Sequence, residues 1–151
     1  MVIYAVIGGK YMQEFFSESE QQTQEFAKKL AYRLKKGSFI AVYGDLGAGK
    51  TAFVKGLAQG LGIKDSIVSP TFTILRAYED AKIPLYHFDV YRIDDEDELF
   101  EIGFDEYANG EGVCVCEWAN LIPHALPKVR MDITIERISD SKRRILIDEA
   151  Q

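Results

Sequence analysis

Gly44-Asp45-Leu46-Gly47-Ala48-Gly49-Lys50-Thr51 carries the clearest chemistry in this 151-residue chain. It satisfies G-x-x-x-x-G-K-[ST] in full, a spacing matched to a triphosphate. Glycines at three positions let successive backbone N–H groups turn inward as a nest for phosphate oxygens. A helix starting at Lys50 adds unsatisfied N–H groups and the positive end of its dipole. Lys50 has the reach for the β- and γ-phosphates, and the Thr51 hydroxyl is a ligand for Mg²⁺. Residues 44–51 therefore predict a site for a nucleoside triphosphate with Mg²⁺.

Such a site needs a carboxylate at the end of a buried strand, and two are available. Leu85-Tyr86-His87-Phe88-Asp89 ends in Asp89, and Val113-Cys114-Val115-Cys116-Glu117 ends in Glu117. Either is placed to hold the metal, directly or through water, while the other orients the attacking water. Spacing alone does not assign the two roles. Ser69-Pro70-Thr71 reads, on its residues, as an ordinary turn. His87 alternates with Tyr86 and Phe88 and reads as a packed, hydrogen-bonded histidine. Trp118 fits either the core or a cover over the site.

These residues need a scaffold. Val2 to Ile7 is a short β-type run, and Glu14-Phe15-Phe16 is a candidate for another. Ser17 and Ser19 are rival N-caps. Phe26, Ala27, Leu30, Ala31 and Leu34 repeat at helical spacing, and Lys35-Lys36-Gly37 suits a helix end, so a helix is predicted over 18–36. Phe39 to Tyr43 is a buried strand entering the phosphate loop, and Lys50 to about Leu61 is the helix leaving it. Strands are predicted over 71–78, 85–91 and 113–116, with a helix from the acidic run at Asp94 through Ile102. Ile133-Thr134-Ile135 and Ile145-Leu146-Ile147 flank a polar turn and predict a closing hairpin. The alternation argues for an α/β fold: a mixed sheet with a parallel core, antiparallel edge strands and flanking helices.

The length suits a single domain over 1–151. The formal net charge of −6 argues against strong direct nucleic-acid binding, which rests on phosphate neutralisation. Lys142-Arg143-Arg144 is the one basic cluster and reads as a solvated face. No apolar run approaches the roughly 18 residues of a membrane helix, and no secretory leader is evident. Cys114 and Cys116 share one strand face, too close in sequence for a relaxed disulfide, and read as reduced core cysteines of a cytoplasmic protein.

Four segments in order resemble the TsaE family, small P-loop ATPases of bacterial tRNA threonylcarbamoyladenosine biosynthesis. They are G-D-L-G-A-G-K-T at Gly44–Thr51, S-P-T-F at Ser69–Phe72, H-F-D-V-Y-R at His87–Arg92 and E-W-A at Glu117–Ala119. The likeness covers about residues 14–149 and includes the upstream helix carrying Thr23. Residues 1–12 depart from it, as either an extra strand or a different start. The resemblance implies a P-loop NTPase-like domain using ATP and Mg²⁺. It implies phosphate binding by Lys50 and the backbone of Asp45, Leu46, Gly47, Ala48 and Gly49. Thr51 and Glu117 would be the metal ligands, with Asp89 as the second catalytic carboxylate. Ser69-Pro70-Thr71 becomes a nucleotide-sensing switch. Thr23 and a C-terminal arginine resemble residues around the adenine; Arg144, directly preceding the last apolar strand, is the first choice and Arg143 the second. The implied partners are TsaD and TsaB.

Three functions fit the motif: an ATPase driving a partner enzyme, a small-molecule kinase, and a nucleotide-gated binding module. The kinase needs an arginine-rich lid, and no compact segment supplies one. The two strand-end carboxylates favour hydrolysis over a passive module. Arg92 is a cis candidate for stabilising charge on the transferred group.

Overall fold

The computed structural model describes residues 2–150. Eight strands form one mixed sheet: β1 (Val2–Ile7), β2 (Lys10–Ser17), β3 (Phe39–Tyr43), β4 (Leu75–Tyr78), β5 (Leu85–Asp89), β6 (Val113–Glu117), β7 (Arg130–Arg137) and β8 (Arg143–Ala150). Their order is β1-β2-β8-β7-β3-β6-β5-β4. The central strands β7, β3, β6 and β5 run parallel. All other neighbours pair antiparallel. The parallel core with antiparallel flanks matches the expected class. The β7–β8 hairpin forms as its alternating apolar residues predict, and residues 2–12 belong to an edge hairpin of the same sheet.

Strand alternation sorts the core onto two faces. Ile40, Val42, Val113, Val115, Ile133 and Ile145 pack under helices α1 (Glu20–Ala31) and α2 (Lys50–Gly60). Phe39, Ala41, Phe88, Cys114 and Cys116 point the other way, towards the short helices α3 (Glu98–Glu101) and α4 (Phe104–Ala108). Both cysteines are free and buried, and burial pushes their thiols well above the ordinary range. They are core residues with little thiolate character.

Several boundaries differ from expectation, among them the strand predicted over 85–91, which ends at Asp89. The helix predicted over 18–36 ends at Ala31. The N–H groups of Tyr32, Arg33 and Leu34 turn to carbonyls three residues back, tightening the last turn. Gly37 then donates to the Gly112 carbonyl at 2.9 Å, tying the segment to the approach to β6. The strand predicted from Thr71 starts at Leu75, because Ile74 is left-handed at φ 68° and its N–H closes a turn onto the Pro70 carbonyl. The acidic run at 94–97 forms turns in which Asp95 Oδ1 accepts from the Asp97 N–H and Glu98 Oε1 from the Asp94 N–H, so the helix starts at Glu98; Gly103 then divides it from α4.

Helices α1 and α2 meet closely through glycine. A Cβ at Gly56 would lie 2.2 Å from the Gln24 carbonyl oxygen and 2.8 Å from Ala27 Cβ. Alanine is intrinsically the better helix former by about 1 kcal/mol, but here it must force two backbones apart. Gly56→Ala is expected to destabilise the fold by about 1–3 kcal/mol, read as a lower urea midpoint. An unchanged or raised midpoint would show that the helices separate freely.

Candidate functional site

The site sits at the carboxyl ends of β3, β6 and β5, the side where open parallel sheets place ligands. Strand β3 is buried throughout and delivers the chain into the turn at Gly44. Gly44 is required there twice over: its φ is 157°, and a Cβ would meet the Ile135 carbonyl oxygen at 2.7 Å. Gly49 caps α2 in the left-handed region at φ 103°. The helix therefore opens with its first N–H groups facing a cavity of about 830 Å³, lined by Gly47, Ala48, Gly49, Lys50 and Thr51 among others.

Register brings the two strand-end acids together. Glu117 pairs with Val42 on β3 and with Asp89 on β5. Each acid is almost fully buried, and both line the cavity. Glu117 is thus one strand from the phosphate loop and Asp89 two. The Asp89 carboxylate is held from three directions. Its Oδ2 accepts from the Ser69 hydroxyl at 2.9 Å and the Thr71 hydroxyl at 3.0 Å, and its Oδ1 accepts from the Tyr91 N–H at 3.0 Å. The Asp89 N–H in turn donates to the carbonyl of the strained Ile74. Ser69-Pro70-Thr71 is therefore coupled to a buried carboxylate, and strained backbone of this kind clusters at switch regions.

Lys50 is buried beside both acids. Its ammonium donates to the carbonyls of Gly44 at 2.5 Å and Asp45 at 2.8 Å, and lies 4.2 Å from the centroid of the Trp118 ring. Burial pushes the Lys50 pKa down; Glu117, Asp89 and Asp45 push it back towards its ordinary value without fully restoring it. Trp118 is left-handed at φ 61° and packs on Tyr91 with ring centroids 4.7 Å apart. It covers the lysine at the cavity and also packs against the core, so both of its sequence readings hold in part. Arg92 stacks over the ring of the exposed Phe72 at 4.4 Å, and both line the cavity.

At the far end of the cavity stand the N-terminus of α1 and the β7–β8 turn. Ser19, not Ser17, is the N-cap, accepting from the Gln22 N–H at 3.1 Å. Ser17 is buried and receives the Thr23 hydroxyl at 2.7 Å, fixing Thr23 against the cavity. Of the two candidate arginines, Arg143 lines the cavity and Arg144 does not. Arg144 lies on β8 with its guanidinium paired to Glu14 and Glu136, away from the cavity. Arg143 lines the cavity and grips the phosphate loop, donating to the Ala48 carbonyl at 2.8 Å and the Gly47 carbonyl at 3.2 Å. The reason is strand alternation: Arg143 shares a face with the core residues Ile145 and Ile147, so its register against them was the available signal.

The fold defines an α/β protein with a mixed sheet, a parallel core and a glycine-rich loop at the carboxyl end of β3. A family profile described as "Threonylcarbamoyl adenosine biosynthesis protein TsaE" matches residues 17–145. The chain belongs to the TsaE family. It is 50% identical over 125 residues to the Bacillus subtilis tRNA threonylcarbamoyladenosine biosynthesis protein TsaE, covering 83% of this chain and 78% of that one. It is 42% identical over 131 residues to the Treponema pallidum protein of the same name, covering 87% and 96%. The crystal structure of Bacillus subtilis YdiB superposes with a TM-score of 0.81 at 39% identity, covering 100% of this chain and 88% of that one.

The lowered Lys50 pKa has a signed consequence. Unfolded, Lys50 keeps its proton up to about its ordinary 10.5; folded, it releases it earlier. Between those values the unfolded chain binds more protons, so this group makes stability rise with pH. The wild type is expected to gain stability relative to Lys50→Met as pH is raised through that window. Chemical denaturation of both proteins at a series of alkaline pH values checks it; a pH-independent difference would contradict the burial argument.

Proposed function

We propose that this protein is a Mg²⁺-dependent ATPase that supports the cycle of the tRNA threonylcarbamoyladenosine transferase, acting in the cytoplasm with TsaD and TsaB. The observation that carries this reading is the convergence of Lys50, Asp89 and Glu117 on one cavity floored by the phosphate loop. The TsaE relatives, named for this biosynthesis, supply the pathway.

The donor set suits Mg²⁺ carried in with a nucleotide. Among the described residues, no group of three or more His, Cys, Asp or Glu forms a metal cage. A Mg²⁺ that keeps waters and phosphate oxygens needs only one or two protein carboxylates. Thr51 and Glu117 are the residues to hold it. When bound, it neutralises negative charge on the transferring phosphoryl group.

The chain's own residues do the rest. The loop N–H groups and Lys50 bind the phosphates, the lysine exchanging its carbonyl partners for phosphate oxygens. Asp89 orients a water in line with the γ-phosphorus. As the water oxygen bonds to phosphorus, the bond to the ADP oxygen breaks and the water's proton passes to a phosphate oxygen, leaving ADP and inorganic phosphate. Ser69 and Thr71 report the state of the γ-phosphate through their bonds to Asp89. Thr23 and Arg143 border the space for the base. Arg92, released from Phe72, is the cis cation for the transition-state charge, and docking of TsaD–TsaB completes the site.

ATPase assays with and without TsaD–TsaB test this. The isolated protein is expected to turn over slowly and the complex faster, while Asp89→Ala and Glu117→Ala lose about 100-fold or more of the stimulated rate. Wild-type stimulated rates in both variants would refute the site assignment. ATP binding without phosphate release, even with both partners present, would replace hydrolysis with a nucleotide-gated module.

A further inference from the structure

His87 is a buried titratable side chain that the mechanism above leaves unused. It is fully buried in β5, two residues before Asp89 and on the same strand face. Its register partner is Val115, so its ring reaches diagonally to Glu117 at the end of β6. Nε2 lies 2.5 Å from Glu117 Oε2. A carboxylate only accepts, so the ring nitrogen is the donor.

The other ring nitrogen decides what the residue is for. Nδ1 is buried without a hydrogen-bond partner. Leaving a buried polar atom unpaired costs about 1–3 kcal/mol. A phenylalanine or leucine would fill the same space without that cost. What the histidine ring offers in return is its hydrogen bond to Glu117. No described donor reaches the second Glu117 oxygen, Oε1, and the residue lines the cavity. One oxygen is therefore fastened inside the protein and the other left for a ligand. Carboxylates that bind metals are commonly held in this way by a second hydrogen bond behind them.

We infer that His87 is a positioning residue that fastens one oxygen of Glu117 and so presents the other to the metal–nucleotide complex. The inference rests on the metal role proposed for Glu117. It assigns His87 no proton transfer and no contact with substrate. The bond restricts the carboxylate to one orientation before the ligand arrives, so less rotational freedom is lost on binding.

The test uses the full-length protein and Mn²⁺ as the probe, with free ion followed by electron paramagnetic resonance in the presence of a non-hydrolysable ATP analogue. Analogue affinity is measured separately in EDTA. His87→Phe is expected to weaken Mn²⁺ binding by about 10–100-fold while leaving the metal-free affinity at the wild-type value. His87→Leu reads the same loss should phenylalanine over-pack the site. His87→Gln, whose amide N–H can replace Nε2–H, is expected to recover most of the affinity. Wild-type Mn²⁺ binding in the apolar variants would overturn the role, as would equal losses in His87→Gln and His87→Phe or a parallel fall of the affinity in EDTA. Glu117→Gln separates the two levels. If it is defective while His87→Phe is not, only the positioning role falls. If it too binds Mn²⁺ normally, the metal role of Glu117 falls and the inference with it.

Discussion

A lysine ammonium and two carboxylates are buried together at the carboxyl ends of three adjacent parallel strands. Removing charges from water costs several kcal/mol per ion unless each finds partners. The surrounding structure supplies those partners. Lys50 takes two loop carbonyls and the face of Trp118. Asp89 takes two hydroxyls and a backbone N–H. Glu117 takes His87. For Lys50, burial still pushes the pKa down against the opposing pull of Glu117, Asp89 and Asp45.

That constraint explains the local strain around the site. Ile74 and Trp118 are the two described non-glycine residues with positive φ; Ile74 closes the turn that carries Thr71 to Asp89, and Trp118 directly follows Glu117. Left-handed backbone is unfavourable for both side chains, especially the β-branched isoleucine. The turn at 70–74 nevertheless places Ser69 and Thr71 on Asp89, and the turn at Trp118 swings its indole back over Lys50. Arg143 holds the phosphate loop from the opposite side. The loop is thereby tied to the β7–β8 hairpin, an element far from it in sequence.

Membership of the TsaE family and the proposed hydrolytic function rest on different supports. The first comes from likeness across most of the chain and from the shared fold. The second comes from charged groups in one cavity. The acidic balance of the chain is the sequence feature that argues against strong direct tRNA binding.

Some of this was legible in the residues alone. The phosphate loop is eight contiguous residues whose backbone needs are met locally, so its motif stands without knowledge of the fold. Strand β3 was readable from its apolar run, and the β7–β8 hairpin from apolar segments about a polar turn. Asp89 and Glu117 were readable as strand-end acids. Their relation to each other was not, because it depends on the order β3-β6-β5, set by packing across the whole sheet. The same packing put Arg143 rather than Arg144 on the cavity, ended α1 at Ala31 and gave the packed, hydrogen-bonded His87 its partner, Glu117. Local chemistry announced the loop; only non-local strand pairing decided which side chains stand around it.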